Sequence, residues 1–253
     1  MRPYILAENT WKNIKEQQID LAVLPWGATE AHNYHLPYAT DNYQVEAIAA
    51  EAGKIAWDNG TKAIILPVIP FGVNTGQADI RLDMNLNPST QLIILRDLIT
   101  VLNRQGIKKL LVLNGHGGNN FKPLLRELGL EFPEMFLSIC NWFGVPNRDA
   151  ICEEPGDHAD EMETSLMLYL KPELVQPLGE AGDGHEKKSV VKGIREGWAW
   201  AERQWSQVTD DTGIGNPAKS SKEKGEQVFK EVTQKVASLL TEIAELDLNN
   251  QYE

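Results

Sequence analysis

Residues 21–42 read LAVLPWGATEAHNYHLPYATDN, an apolar run followed at once by a cluster of polar side chains. The run from Leu21 to Trp26 carries little polar alternation, which is typical of a strand buried on both faces of a parallel sheet. Similar runs follow at Ala63 to Ile69, Lys109 to Asn114 and Phe136 to Asn141. The sequence therefore predicts a central sheet of mostly parallel strands.

Segments with helical spacing of apolar residues separate these strands. Tyr43 to Asn59 is one such segment, and Gly60 follows it as a stop signal. Asn87-Pro88 predicts the start of another helix, as an N-cap followed by a first-turn proline. A long amphipathic segment, Glu223 to Leu248, closes the chain. This alternation predicts an α/β fold of three layers, with a mostly parallel central sheet and helices on both faces.

The composition indicates a globular protein in a reducing compartment. The chain has 253 residues and a net charge of −12, which argues against nucleic acid or an anionic membrane as partner. Cys140 and Cys152 form neither a disulfide framework nor a zinc knuckle, and no signal peptide or membrane span is evident. We expect a single cytoplasmic domain over residues 1–253, with an irregular stretch from Leu178 to Gly225.

Three polar clusters combine histidine with carboxylates. Glu30, His32 and Asp41 follow the first predicted strand, and His116 lies in a Gly-rich turn after the third. The segment His158 to Ser165, which reads HADEMETS, opens a helix. Ligand sites in such sheets lie beyond the carboxyl ends of the strands. Imidazole with carboxylate suits zinc, manganese or iron, so the clusters indicate a metal site.

The spacing within the clusters supports a shared site. Glu30 and His32 lie two residues apart, so an extended segment points both to one side. The carboxylates of Glu30, Asp41 and Glu161 would repel one another strongly without divalent charge between them. Glu161 and Glu163 also lie two apart, but on a helix, so they face different directions and only one is expected in the site.

Each cluster also has an ordinary structural interpretation. Glu30 could cap a helix or pair with an arginine, and Asp41 could begin the helix that follows it. The turn from Asn114 to Asn119 could cradle a phosphate, although it lacks the spacing of the nucleotide-binding motifs. Trp142, Phe143 and the tryptophans at 198, 200 and 205 could line a pocket or simply pack in the core.

Four ordered motifs resemble the creatininase (creatinine amidohydrolase) family. GATEAHNYHLPYATD at residues 27–41 is similar to a family motif G-x-x-E-x-H-G-x-H-L-P-x-x-T-D. NGHGGN at 114–119 and HADEMETS at 158–165 are similar to the second and third motifs. Gly215-Asn216-Pro217 through Glu223-Lys224-Gly225 is similar to a late family loop. The resemblance thus runs from about residue 20 to 230.

The resemblance implies a creatininase-like fold and a binuclear metal centre. The expected ions are two divalent cations per chain, zinc before manganese or iron. The resemblance assigns four metal ligands, with Asp41 as the bridge: Glu30, His32, Asp41 and His116. A fifth family ligand, a glutamate, is replaced here by Gly118, and we expect Glu161 to substitute for it, with Glu163 as the alternative.

The resemblance also implies catalytic roles and an assembly. His158 matches the histidine that transfers a proton, and Glu163 is expected to orient His158 or to anchor its helix. The expected reaction is hydrolysis of a C–N bond in a small, open-chain or cyclic, amide by a metal-activated water. The partners expected are that substrate and other copies of the chain, as a homo-oligomer and commonly a hexamer. Creatinine itself does not follow from the resemblance.

Two other functions compete with the hydrolase. One is a nucleotide-binding protein with a doubly wound α/β fold, which would need a Gly-rich phosphate turn after the first strand. That position holds Gly27-Ala28-Thr29-Glu30, which does not fit. The other is a non-catalytic small-molecule sensor that retains metal for structure, in which the metal shell would be saturated and closed.

Overall fold

The computed structural model, which describes residues 1–252, has a parallel four-stranded sheet at its centre. The strands follow the order β2–β1–β3–β4, and each neighbouring pair is parallel. Their bounds are Leu21–Trp26 (β1), Ala63–Ile65 (β2), Lys109–Asn114 (β3) and Phe136–Asn141 (β4). The predicted α/β class with a mostly parallel sheet is confirmed.

Five helices of ten or more residues and several short elements complete the described chain. The helices are α1 (Trp11–Ile14), α2 (Thr40–Asp58), α3 (Pro88–Arg104), α4 (Phe121–Glu131), α5 (Arg148–Ile151), α6 (Glu161–Leu170), α7 (Lys192–Arg195), α8 (Trp205–Val208) and α9 (Lys222–Glu245). Two further strands, β5 (Gly156–His158) and β6 (Ile214–Gly215), pair antiparallel. Single 3-10 turns lie at Leu6–Glu8, Thr75–Gln77, Trp142–Gly144, Pro172–Leu174, Leu178–Glu180 and Pro217–Lys219.

Both faces of the sheet are buried, which explains the unbroken apolar strands. Val23 and Leu111 pack on one face with α2, α6 and α9. Leu24 and Val112 point to the other face and pack with α3 and α4. Because successive side chains of a strand point to opposite faces, a sheet covered on both sides needs apolar residues at every position. The helices therefore form a layer on each side of the sheet.

Three element boundaries differ from the prediction by more than one residue. β2 ends at Ile65, and Ile69 returns only as an isolated bridge to Trp26, because Pro67 between them has no N–H for the ladder. Helix α2 begins at Thr40 rather than at Tyr43, which puts Asp41 in its first turn. The α9 helix ends at Glu245, three residues earlier than expected.

The stretch from Leu178 to Gly225 is largely irregular, as predicted, yet it is held by buried polar groups. Asp211 is buried and accepts hydrogen bonds from the backbone N–H groups of Gly184 and Gly213. The hydroxyl of Thr209 donates to the same carboxylate. Within residues 1–252, no helix combines the length and apolarity that crossing a membrane would require.

Candidate metal centre

The polar clusters meet at the carboxyl edge of the central sheet. β1 and β3 are neighbours in register, with Trp26 opposite Asn114, so the chain leaves both strands at the same edge. Glu30 and His32 follow β1, and His116 follows β3. The first turn of α2 brings Asp41 to the same place. Four residues predicted as metal ligands therefore lie together.

Asp41 lies between the two histidines. Its Oδ1 is 3.0 Å from His32 Nε2, and its Oδ2 is 3.0 Å from His116 Nδ1. Glu30 Oε1 is 2.7 Å from the same His116 nitrogen. Glu30, His32 and Asp41 are at most 1% exposed. One carboxylate thus presents a separate oxygen to each of two imidazoles, which is the arrangement needed to bridge two cations.

In each of three site histidines, one ring nitrogen is hydrogen-bonded to a backbone carbonyl oxygen. These contacts are His32 Nδ1 to Glu30 O at 3.1 Å, His116 Nε2 to Val73 O at 3.0 Å, and His158 Nε2 to Ala31 O at 2.8 Å. Since a carbonyl only accepts, these nitrogens donate, and the other nitrogen of each ring faces the carboxylates. Metal-binding histidines are held in this way, with the second nitrogen donating to a carbonyl or carboxylate.

The third cluster contributes Glu163. Asp160 caps α6 by accepting from the backbone N–H groups of Met162 and Glu163. This places Glu163 Oε2 4.0 Å from His32 Nε2, where it also accepts a 2.6 Å hydrogen bond from the Ala159 backbone. His32, Asp41 and Glu163 form a compact group of donor atoms, as do Glu30, Asp41 and His116.

Glu161, the expected fifth ligand, lies outside these groups. Its Oε1 pairs with Lys224 Nζ, and its Oε2 accepts from the backbone N–H groups of Glu153 and Glu154 at 2.9 and 2.8 Å. The two glutamates face different directions because they lie two residues apart on α6. The residue expected as the fifth ligand therefore lies away from the cluster: Glu163 lies in it, and Glu161 links α6 to α9.

Gly118 holds the position after β3 where the family resemblance places a glutamate. A Cβ at Gly118 would lie 2.3 Å from the Val73 carbonyl oxygen and 2.4 Å from His116 Nε2. With the backbone as it lies here, a side chain at position 118 would meet both atoms, so this turn offers no carboxylate to the cluster. Glu163 approaches the cluster from another element of the fold.

The electrostatics of the cluster fit cations. Burial by itself would lower the pKa of His116, but the carboxylates of Glu30 and Asp41 outweigh it and raise the pKa well above its usual range. Burial raises the pKa of Glu163 to about 8. Glu30 Oε1 and Asp41 Oδ2 are buried without a well-directed hydrogen bond. Three buried carboxylates with histidine nitrogens turned toward them suit two divalent ions.

His158 joins neither of the two groups around Asp41, but Glu30, His32 and His158 form a third compact group of donor atoms. Its ring stacks on that of His32 at 4.2 Å, and its Nδ1 is 3.8 Å from Glu30 Oε1. Burial, and then the nearby His32, lower the pKa of His158 below its usual value. A neutral imidazole with a free Nδ1 can accept a proton.

Two residues near Glu30 carried no signal in the sequence. The Gln77 side-chain amide donates to Glu30 Oε2, which leaves Glu30 Oε1 for the cluster. Asp83 Oδ1 accepts from the Ala31 backbone at 2.7 Å, and burial raises the pKa of Asp83 to about 7. Both come from the polar loop between β2 and α3, whose path the local sequence does not indicate.

A cavity of about 200 Å³ opens onto the cluster. Its wall includes His116, His158 and Glu163, together with Phe143 and Trp205. Trp205 stands edge-on to the His158 ring at 5.3 Å. Trp142 is instead fully buried in the core, and the tryptophans at 198 and 200 are exposed. The donor cluster is therefore accessible to a small molecule.

Comparison with known proteins agrees with this geometry. The sequence model of the creatininase family, described as creatinine amidohydrolase, matches residues 7–240. A crystal structure from Bacteroides fragilis NCTC 9343, described provisionally as a creatinine amidohydrolase, is 41% identical with a TM-score of 0.93, over 100% of both chains.

Two curated relatives are more distant. A mycofactocin precursor peptide peptidase from Mycobacterium ulcerans (strain Agy99) is 24% identical over 88% of this chain and 82% of its own. A creatinine amidohydrolase from Pseudomonas putida is 27% identical over 67% of this chain and 73% of its own. Their differing names show that membership in the family leaves the substrate open.

A parallel α/β sheet with histidines and carboxylates gathered at its carboxyl edge defines a hydrolase of the metal-binding class. More specifically, the chain belongs to the creatininase family, and it is an amidohydrolase of that family. The resemblance noted in the four sequence motifs is thereby confirmed.

Proposed function

We propose that the protein hydrolyses a C–N bond of a small, open-chain or cyclic, amide with the help of two divalent ions. The observation that carries this proposal is the position of Asp41, whose two oxygens each lie 3.0 Å from a different histidine. A cavity at the same place gives a small substrate access. Zinc is the first choice of ion, with manganese or iron as alternatives.

The two donor groups suggest one ligand set for each ion. The first ion would be held by Glu30, Asp41 and His116, and the second by His32, Asp41 and Glu163. Each set has three protein ligands, which leaves a coordination position open, as in catalytic rather than structural zinc sites. When bound, such ions act as Lewis acids that lower the pKa of a water and polarise a carbonyl.

His158 is the residue placed to move protons. Its Nε2 is held by the Ala31 carbonyl, and its lowered pKa keeps Nδ1 unprotonated near neutral pH. Nδ1 can take the proton released as water adds to the carbonyl carbon. The same nitrogen then delivers that proton to the amide nitrogen as the C–N bond breaks, giving a carboxylic acid and an amine. Glu163 acts here as a ligand rather than as the partner that orients His158.

The open ligand sets favour an enzyme over a sensor with structural metal. The turn after β1, where a nucleotide-binding protein would hold phosphate, instead carries the buried carboxylate of Glu30. A phosphate would meet like charge at that position. These observations support the hydrolase over both competing functions.

Metal analysis of the purified protein tests the proposal directly. We expect two divalent ions per chain, loss of amide hydrolysis on chelation, and recovery when the ions are restored. Asp41→Asn should reduce metal content to one ion or none, whereas Asp97→Asn on the exposed side of α3 should leave two. Two ions retained by the Asp41 variant would refute the bridging role.

The wider organisation is part of the same proposal. We take residues 1–253 to act as one domain and the chain to form a homo-oligomer, a hexamer by resemblance to the family, in the cytoplasm. Exposed apolar side chains such as Trp198, Trp200 and Val190 support association between copies. Light scattering on the eluted protein measures its mass, and a monomer at micromolar concentration would refute the assembly.

A further inference from the structure

Beyond the metal-type donors, the cavity wall carries two arginines. Arg148 and Arg203 both line it. Arg148 precedes β5 in the sequence, and Arg203 follows it. Arg203 donates to Asp157 at 2.7 Å and lies 4.5 Å above the Trp205 ring, with 43% of its side chain exposed. The Arg148 side chain is only 26% exposed. Arg148 is therefore the more enclosed cation of the wall.

Most hydrogen-bond donors of Arg148 are free. Its Nη2 donates to Asp160 Oδ2, and within residues 1–252 no other side-chain hydrogen bond is made by the guanidinium. A guanidinium has five N–H donors arranged as a fork that matches a planar carboxylate. At 26% exposure, water can reach some of the remaining donors, and a ligand that accepts hydrogen bonds can replace that water. The free donors beside the cavity indicate a ligand that accepts hydrogen bonds.

Asp160 balances two positive groups, of which the Arg148 guanidinium is one. The other oxygen of this buried carboxylate caps α6, accepting from the backbone N–H groups of Met162 and Glu163. Because the N-terminus of a helix carries partial positive charge, Asp160 balances both that terminus and the guanidinium. Arg148 thus contributes positive charge to a wall that also carries Arg203 and the carboxylates of Asp157 and Glu202. With two divalent ions bound, the positive charge of the ions would exceed the negative charge of Glu30, Asp41 and Glu163 by one unit.

We propose that Arg148 binds a carboxylate of the substrate, so that the substrate is a small amide that also carries a carboxylate group. This inference rests on the function proposed above, since it names the substrate class for the same cavity. The amide carbonyl lies at the metal-type donors and the carboxylate at Arg148. The cavity of about 200 Å³ suits a compact molecule with the two groups a few bonds apart.

Succinamate and succinamide are matched probes, because they differ only in a carboxylate replacing one of two carboxamides. Isothermal titration of the metal-loaded protein gives the dissociation constant of each. We expect succinamate to bind at least ten-fold more tightly. Arg148→Gln should reduce that preference by about 10- to 100-fold, the range expected for hydrogen bonds to a charged group. Arg148→Lys should retain part of it, since charge remains but the fork is lost.

Control variants separate the inference from folding effects and from the proposed function. Arg96→Gln removes a similarly exposed arginine, paired with Glu127 and Glu131 on the other side of the sheet, and should leave the preference unchanged. Arg148→Lys keeps a cation for Asp160, so it remains informative if the glutamine variant fails to fold. Metal content is measured for every variant.

Two results would overturn the inference. Equal affinity of the wild-type protein for both probes would show that no carboxylate is recognised. An unchanged preference in Arg148→Gln with full metal content would show that the carboxylate binds at the metals instead. Either result leaves the hydrolase function standing, whereas a wild-type protein that binds no metal would refute the proposed function itself.

Discussion

Replacing Glu163 or Glu161 by glutamine should have opposite effects on stability, because only one of these glutamates faces the metal-type donors. Glu163 lies 4.0 Å from His32 Nε2, and Glu161 pairs with Lys224. Glutamine has nearly the same shape as glutamate but carries no charge. The two variants therefore test the same helix at positions two residues apart.

Glu163→Gln should weaken metal binding without lowering the stability of the metal-free protein. Burial and the neighbouring Asp160 and Asp41 raise the pKa of Glu163, so a neutral side chain relieves repulsion there. At a hundred-fold excess of metal over its Kd, one site stabilises the fold by about 2.7 kcal/mol. A hundred-fold weaker site would contribute about 0.4 kcal/mol under the same conditions. The metal-induced rise in Tm should then shrink by roughly 5–10 °C.

Glu161→Gln should do the reverse. The buried carboxylate loses its pair with Lys224, but Lys224 is partly exposed and water can solvate it. We therefore expect a loss of about 1–3 kcal/mol rather than the larger cost of a fully buried pair. That corresponds to roughly 2–12 °C in Tm of the metal-free protein. Metal content should remain at two ions.

Differential scanning fluorimetry with and without added zinc, combined with elemental analysis, measures both quantities. Lys54→Met, which removes an exposed pair with Asp58, serves as the control and should change neither. The assignment of Glu163 is refuted if its variant holds two ions with wild-type affinity. It is equally refuted if Glu161→Gln loses an ion while Tm of the metal-free protein stays constant.

Three further predictions concern neighbouring residues. His158→Gln should keep both ions yet lower kcat at least 100-fold, since proton transfer contributes that much to the rate. Loss of an ion in this variant would instead show that His158 is a metal ligand. Gln77→Leu frees Glu30 Oε2 and should weaken metal affinity about 10-fold in a chelator competition; unchanged affinity would contradict the positioning role. Gly118→Ala should lower Tm by several degrees, because its Cβ would meet the Val73 carbonyl, whereas Gly117→Ala, with open space around it, should not.

The strands and the nature of the site could be predicted from the sequence because both depend on local patterns. β1, β3 and β4 have the predicted bounds. The two inner strands β1 and β3 are buried almost throughout, which requires a nearly continuous apolar run, whereas the edge strand β4 is only partly buried. Glu30, His32 and His116 follow the ends of neighbouring strands, so the parallel topology brings them together. Because β1 and β3 are parallel neighbours, these three side chains lie at one edge of the sheet.

The choice between Glu161 and Glu163 depended on tertiary structure. The sequence shows that two helical residues at this spacing face different ways, but not which way the helix is turned. That rotation is set by the packing of α6 on α9 and α2 and by the pair between Glu161 and Lys224, distant in sequence. The long-range contacts of α6 therefore decide which glutamate reaches the site.

The roles of Gln77 and Arg148 likewise required the folded chain. Their sequence surroundings carry no periodic or motif signal, and each reaches its position through loop geometry. Gln77 lies in a loop that returns to Glu30, and Arg148 approaches Asp160 from a one-turn helix. The sequence by itself determined the strands of the sheet and the kinds of donor group at its edge, since these follow from residue type and period. Contacts between distant segments decided which side chains complete and surround the site. The reason is that only packing fixes the direction of a helix face or the path of an irregular loop.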